Sequence, residues 1–324
     1  MGKIRVAVLR GGPSSEYEVS LKTGATVLQH IPQEVYDAHD IFISREGEWY
    51  RNGVQFTPHE ALSHFDVIFN ALHGQYGEDG KVQHILEMSG IPFTGSGSFA
   101  SSVAMNKAMT KEVFKKEKIR TPQHKLISNI SAENLAELFL TFSPPVVVKP
   151  VSAGSSMGVT MVKSFDSFET AIKEAMKHSD TVMVEEYIPG VEATVGVVDG
   201  YRDQNIYVLP PIEIRPRGSA FFDYENKYGS GESGAEEIVP GNFSEKDKRE
   251  LEELARKVHS ILGLRHYSRT DFIVSPKRGI FVLETNTLPG LTETSLLPKA
   301  LHSVGASLSH FLDHVLQLAL KKSK

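Results

Sequence analysis

Ile4-Arg5-Val6-Ala7-Val8-Leu9-Arg10-Gly11-Gly12-Pro13-Ser14-Ser15-Glu16-Tyr17-Glu18-Val19 reads as a buried strand, a tight turn and the start of a helix. Ile4–Leu9 supplies the strand and Gly11-Gly12-Pro13 the turn. Ser15 and Glu18 stand three residues apart, the spacing of a capping box, and Val19, Leu21 and Leu28 give the helix its apolar positions. A second apolar run, Val67–Leu72, ends in His73-Gly74. Strands alternating with helices predict an α/β region with a largely parallel sheet.

Working outward, Gly95-Ser96-Gly97-Ser98 is a small-residue stretch suited to a domain edge, and a helix-like segment with Lys107 and Lys111 follows. Pro144-Pro145 leads into Val146-Val147-Val148-Lys149 and then a Gly/Ser loop, Ser152–Gly158, with Asp166 and Glu169 capping the next helix. Val182–Tyr187 reads as a strand closed by Pro189-Gly190, a second edge. Residues 216–241 have weak periodicity, and a loop of that length in a compact chain is usually functional or disordered. Ser244 and Asp247 cap a helix that carries Leu251, Leu254, Ala255, Val258 and Leu262 on one face and ends at Gly263. The strands Asp271–Val274 and Ile280–Asn286 come next, and Leu308–Leu320 is an amphipathic helix.

The chain has 324 residues, which suggests about two domains or three small ones. With 35 Lys+Arg against 40 Asp+Glu the formal charge is −5, so nucleic acid is not an expected partner. The absence of cysteine excludes disulfide scaffolds, cysteine nucleophiles and cysteine-ligated zinc, and fits a reducing cytoplasm. Arg5 and Arg10 interrupt the opening, so it is not expected to act as a signal-peptide core, and no apolar run approaches the ~18 residues of a membrane span. Ser96 stands where a phosphate loop needs lysine, and Gly11-Gly12 is not a dinucleotide fingerprint.

Asp271, Glu284 and Asn286 form one constellation. Residues two apart on a strand share a face, so Glu284 and Asn286 point the same way, with Asp271 on the neighbouring strand. An all-oxygen donor set suits Mg²⁺ bridging phosphates, although polar strand ends that cap turns have the same composition. Lys149 after three valines, with Gly154-Ser155-Ser156 behind it, fits either a phosphate cradle or a solvated edge. Arg269 with the Pro289-Gly290 turn and Ser295 could hold an oxyanion, or Pro289-Gly290 could be a simple turn. Glu16, the loop of His73, Glu78 and Asp79, and the Tyr224–Tyr228 segment each have an ordinary structural reading as well.

Taken in order, these segments resemble the D-alanine–D-alanine ligase family of ATP-grasp enzymes. The matching pieces are Gly11–Ser20, His73-Gly74 through Gly80, Lys149-Pro150 with Gly154–Gly158, Glu185–Ile188, Asp223–Tyr228, Arg269 with Asp271-Phe272, and Glu284 through Ser295. They cover nearly the whole chain. The resemblance implies an α/β fold, α+β in its ATP-binding part, with a Rossmann-like N-terminal domain at 1–98. A central subdomain at 99–188 and a C-terminal subdomain at 189–324 would carry an active-site loop near 216–241. It implies that two D-alanines are joined through a D-alanyl phosphate, giving ADP and phosphate, for peptidoglycan synthesis in the cytoplasm by a homodimer.

Roles follow from the same resemblance. Glu16 would pair with the first D-alanine's ammonium and His73 would sit near its carboxylate. Lys107 and Lys149 would hold ATP phosphates. Ser155 and Tyr228 would bond near Glu16, with Ser156 beside the nucleotide and Lys227 at the phosphoryl group. The backbone around Glu186, Tyr187 and Ile188 would meet the base, with Glu185 also among the nucleotide-binding residues, and Glu192 would meet the ribose. Asp271, Glu284 and Asn286 would bind two Mg²⁺ ions, with Mn²⁺ as a substitute. Arg269 and the Gly290 N–H would stabilise the tetrahedral intermediate, and Ser295 would take the second substrate's carboxylate. The family usually has Asp where Asn106 stands, an arginine at Val191, and a shorter loop after Tyr228. The competing readings are a ligase that joins D-alanine to D-serine or D-lactate, and a non-catalytic nucleotide-binding relative.

Overall fold

The computed structural model describes residues 2–129, 132–142, 144–152, 154, 157–216 and 235–321. Its strands, in chain order, are β1 Ile4–Gly11, β2 Tyr36–Ile43, β3 Trp49–Arg51, β4 Val54–Phe56, β5 Val67–Asn70, β6 His124–Ile127, β7 Val146–Pro150, β8 Thr160–Val162 and β9 Val182–Glu186. They continue with β10 Val191–Asp199, β11 Ile206–Val208, β12 Ile212–Arg215, β13 Glu236–Ile238, β14 Tyr267–Ser275 and β15 Gly279–Asn286.

Three sheets result. The first runs β4-β3-β2-β1-β5, and only its β1–β2 and β1–β5 pairs are parallel. The second is β6-β9-β7-β8 and the third β13-β12-β10-β14-β15 with β11 also on β10; both are antiparallel. The expected parallel sheet is therefore confined to three strands at the N-terminus. The Ile4–Leu9 run is buried at Val6–Leu9, because a strand with sheet neighbours on both sides and helices over it must be apolar on both faces.

The helix after the first turn spans Tyr17–His30 with Glu16 at its N-cap and no side-chain cap bond, so the Ser15/Glu18 capping box does not form. Instead Ser14 Oγ accepts the Glu16 N–H at 3.1 Å. The helix Phe165–Met176 likewise starts at Ser164 rather than on Asp166. Ser244 does cap Glu245–Ile261, accepting the Asp247 N–H at 3.1 Å, and Gly263 follows its end at φ +64°.

Packing ties the pieces together. The helix Leu308–Leu320 buries Phe311, Leu312 and Val315 in one core with Val6, Val8 and Phe69 of the first sheet. Tyr36 donates its hydroxyl to Asp313 at 2.7 Å and accepts from Gln317 at 2.7 Å. The helices Ser98–Met105 and Lys107–Lys116 pack Ala100, Val103 and Phe114 on Ala193, Val195 and Phe272 of the third sheet. No helix among the described residues is long and apolar enough to cross a membrane.

Candidate active site

The antiparallel register of β14 and β15 sets Asp271 opposite Glu284 and Arg269 opposite Asn286. Opposed residues share a face, so all four side chains stand on one side of the sheet. A bulge between Asp271 and Phe272 breaks the register just beyond them, which re-aims the strand where the polar residues begin. Arg269 donates Nε and Nη2 to the two Asp271 oxygens at 3.0 Å each, and Thr194 on β10 donates to the same carboxylate at 2.5 Å. Lys107 reaches Glu284 at 3.2 Å. Asn286 accepts the Leu288 N–H at 3.0 Å, which turns the chain out of the strand.

The donor chemistry fits a hard cation. Two carboxylates and a carboxamide offer oxygen only, and each carboxylate faces a positive side chain, Arg269 at Asp271 and Lys107 at Glu284. The expected sharing of one face by Glu284 and Asn286 is present, Asp271 stands on the paired strand as expected, and Thr194, which anchors Asp271, carried no motif.

Lys149 lies at the end of β7, between β9 and β8, and is buried rather than on an edge. The Lys107 N–H donates to the Val151 carbonyl at 3.1 Å, so the two lysines are brought to the same corner. Asn106 caps the Lys107 helix by accepting from the Ala108 and Met109 N–H groups at 3.1 Å each. That is the task an aspartate would perform there, so this departure from the family pattern leaves the cap intact.

Glu185 is 3% exposed and sits between two ammonium groups, Lys111 at 2.7 Å and Lys149 at 2.8 Å. Burial alone would raise its pKa, but Lys149 and Lys111 outweigh it and hold the carboxyl below the ordinary range. The Glu186 side chain turns instead to Arg278, which binds it through Nη1 at 2.6 Å and Nη2 at 3.1 Å. Tyr187 and Ile188 follow in the link to β10, and Glu192 lies on β10.

On the N-terminal side, Gly74 at φ +68° lets the loop pass close to Glu16. A Cβ there would meet Glu16 Oε2 at 2.9 Å, and one at Gly154 would meet Oε1 at 3.3 Å. The Glu16 carboxylate therefore stands where the β1 turn, the His73 loop and the loop after β7 converge. His73 is buried with Nε2 2.8 Å from the Thr23 hydroxyl, and burial together with Arg269 lowers it to about 4. It is neutral at pH 7 and offers a hydrogen bond rather than a charge. Glu78 accepts the Gly74 N–H at 2.9 Å, the Leu288 N–H at 3.2 Å and the Thr287 hydroxyl at 3.4 Å. It joins the His73 loop to the Leu288–Gly290 turn. The sequence brought Glu78 to notice only through the glycines around it.

Ser295 precedes the helix Leu296–Ser303, and its hydroxyl lies 2.7 Å from that of Thr292. A Cβ on Gly290 would meet Ser295 Oγ at 3.0 Å, so the turn and the serine are in contact. Ser155, Ser156, Lys227 and Tyr228 lie outside the described residues.

Family models match both halves of the chain. The model described as "D-ala D-ala ligase C-terminus" covers 101–317, and "D-ala D-ala ligase N-terminus" covers 5–61 and 51–96. A D-alanine–D-alanine ligase of Geotalea uraniireducens is 39% identical over 318 residues, 98% of this chain and 96% of that protein. One from Halalkalibacterium halodurans is 37% identical over 325 residues, 98% of this chain and all of that protein. Among solved structures, VanG D-Ala:D-Ser ligase from Enterococcus faecalis superposes with TM-score 0.86 at 29% identity, covering 98% of this chain and 100% of that one. D-alanyl-alanine synthetase A from Vibrio cholerae superposes with TM-score 0.86 at 26% identity, covering 99% of each.

Proposed function

We propose a division of labour from one premise: this chain belongs to the D-alanine–D-alanine ligase family. The reaction is the ATP-dependent joining of two D-alanines into D-alanyl-D-alanine. The first D-alanine's carboxylate takes the γ-phosphoryl group and ADP leaves. The second D-alanine's amine then attacks the acyl carbon, and phosphate departs with the cleaved C–O bond.

The observation that carries the assignment is the shared face of Arg269, Asp271, Glu284 and Asn286, with Lys107 against Glu284. Asp271, Glu284 and Asn286 would hold Mg²⁺, as two ions, with Mn²⁺ able to replace it. When bound, the metal offsets triphosphate charge and orients the phosphoryl group for transfer. Lys107 and Lys149 hold the phosphates. Arg269, steered by its fork on Asp271, and the Gly290 N–H receive the oxyanion of the tetrahedral intermediate. Glu16 takes the first substrate's ammonium, neutral His73 hydrogen-bonds near its carboxylate, and Ser295 takes the second carboxylate.

Glu185 through Ile188 meet the base and Glu192 the ribose. Ser155, Ser156, Lys227 and Tyr228 complete the cover over the site, which keeps water from the acyl phosphate. The units 1–98, 99–188 and 189–324 are the domains of this reading, and a cytoplasmic homodimer acting in peptidoglycan synthesis is its cellular form. The test is phosphate release from ATP and Mg²⁺ with D-alanine or L-alanine. Release with D-alanine alone supports the reading, and equal release with both contradicts it.

A further inference from the structure

Lys111 does not resemble a ligand-binding lysine. It lies within the helix Lys107–Lys116, is 1% exposed, and its ammonium faces Glu185 Oε1 at 2.7 Å, the Thr121 hydroxyl at 2.5 Å and the Pro122 carbonyl at 3.2 Å. Three N–H donors meet three oxygens, so nothing is left over for a phosphate. Lys149, by contrast, spends one contact on the other oxygen of the same carboxylate.

Each Glu185 oxygen faces one ammonium group, Oε1 that of Lys111 and Oε2 that of Lys149, so each is served by one donor. A buried carboxylate oxygen with its charge balanced and a lone pair unfilled is a site for one more donor. ATP has few donors to give. The phosphates carry none and the ribose hydroxyls are assigned to Glu192, which leaves the 6-amino group of the base.

We propose that Lys111 is a positioning residue that sets purine selectivity by keeping Glu185 an ionised, acceptor-only group facing the 6-amino position. This rests on the reading above in which Glu185 meets the base. Its physical content is the protonation state of one carboxyl. With two cations beside it, Glu185 accepts and cannot donate, so an amino group is received and an oxo group meets a repelling oxygen. With Lys111 uncharged, one cation remains to hold a fully buried carboxylate. Its proton is then retained more readily, and a protonated carboxyl can donate to an oxo group. Lys149 would also be drawn more strongly toward Glu185 and away from the phosphates.

The experiment compares ATP with inosine triphosphate, which differs in carrying an oxo group at that one position. Steady-state kcat/KM for both is measured at fixed pH on the full chain and on Lys111→Met, Lys111→Arg and Glu185→Gln, with a thermal melt on each. The parent is expected to prefer ATP by about 100-fold, the size of one charge-assisted hydrogen bond. Lys111→Met should reduce that to under about tenfold, through a higher KM for ATP at little-changed kcat, whereas Lys111→Arg keeps the preference. A purely structural lysine would lower both nucleotides together and leave the ratio alone. A folded Lys111→Met with the parent ratio overturns the proposal. So does a Lys111→Arg enzyme that loses the ratio, which holds even if Lys111→Met does not fold. A ratio unchanged in Glu185→Gln overturns instead the reading that Glu185 meets the base, and the inference falls with it.

Discussion

Glu78 and Leu288 lie 210 residues apart in sequence, and the Glu78 carboxyl accepts the Leu288 backbone N–H at 3.2 Å. The same carboxyl accepts the Gly74 N–H at 2.9 Å. One side chain thus fixes the His73 loop of the first sheet against the turn that carries Gly290. Burial, reinforced by the negative charge of Glu16, pushes Glu78 up to about 8, against the pull of the two N–H groups and Arg269.

Glu78→Ala leaves buried donors without an acceptor and should cost about 2–4 kcal/mol of stability together with most ligation. Glu78→Gln keeps an acceptor and resembles the protonated acid, so it should lose no more than about 1 kcal/mol. Urea midpoints of the two variants check this. Equal midpoints would remove Glu78 from its bridging role.

Arg269→Ala removes the donor proposed for the oxyanion of the transition state. A loss of about 10²–10³ in kcat is expected, with ADP affinity within a few-fold of the parent. Stopped-time dipeptide assays beside calorimetric ADP binding separate the two effects. Near-native turnover contradicts the assignment.

Glu284→Gln takes a charge from the proposed metal-binding set and from Lys107, its partner at 3.2 Å. The Mg²⁺ concentration for half-maximal activity should rise at least about tenfold. A titration of activity against free Mg²⁺ decides it, and an unchanged midpoint would place the metal elsewhere.

Part of the pH dependence of stability follows from His266, which accepts the Gly95 N–H on Nδ1 at 3.0 Å, with buried His73 acting in the same direction. Burial, with the charge of Arg265, lowers it to about 4 against the pull of Asp199. Unfolded histidine titrates near 6.5, so between those values the unfolded chain binds the extra proton. Stability from this group is full above about 6.5 and is lost as pH falls toward 4, by about 3 kcal/mol in all. His266 has φ +69°, which asparagine tolerates, so His266→Asn should keep an acceptor and flatten that slope. Melting temperatures from pH 4 to 7 for both proteins check it, and parallel curves would exclude His266 as a source.

Much of this was legible in the sequence where periodicity is strong. The Leu308–Leu320 helix has the bounds its apolar spacing predicts, and the face shared by Glu284 and Asn286 follows from strand alternation alone. Long-range chemistry was not legible. Ser15 and Glu18 have capping-box spacing, yet Glu16 takes the N-cap with no side-chain cap bond, and its carboxylate lies beside Gly74. Thr194 and Lys111 bear no motif, and the motif around Glu78 does not name its partner, since Leu288, Asp271 and Glu185 lie 74 to 210 residues from Glu78, Thr194 and Lys111 by their numbers. Beyond the turn-joined β14–β15 pair, the strand order of the second and third sheets escaped for the same reason, because strand pairing is fixed by contacts that local pattern does not encode.

In the proposed reading, two D-alanines are joined on the face shared by Arg269, Asp271, Glu284 and Asn286. The most direct measurement incubates the protein with ATP, Mg²⁺ and isotopically labelled D-alanine, alone and with equal D-serine or D-lactate, and identifies products by mass. D-alanyl-D-alanine as the main product in every mixture, with one ADP formed per dipeptide, is the predicted result. A mixed dipeptide or depsipeptide as the main product, or ATP bound without turnover, would contradict it.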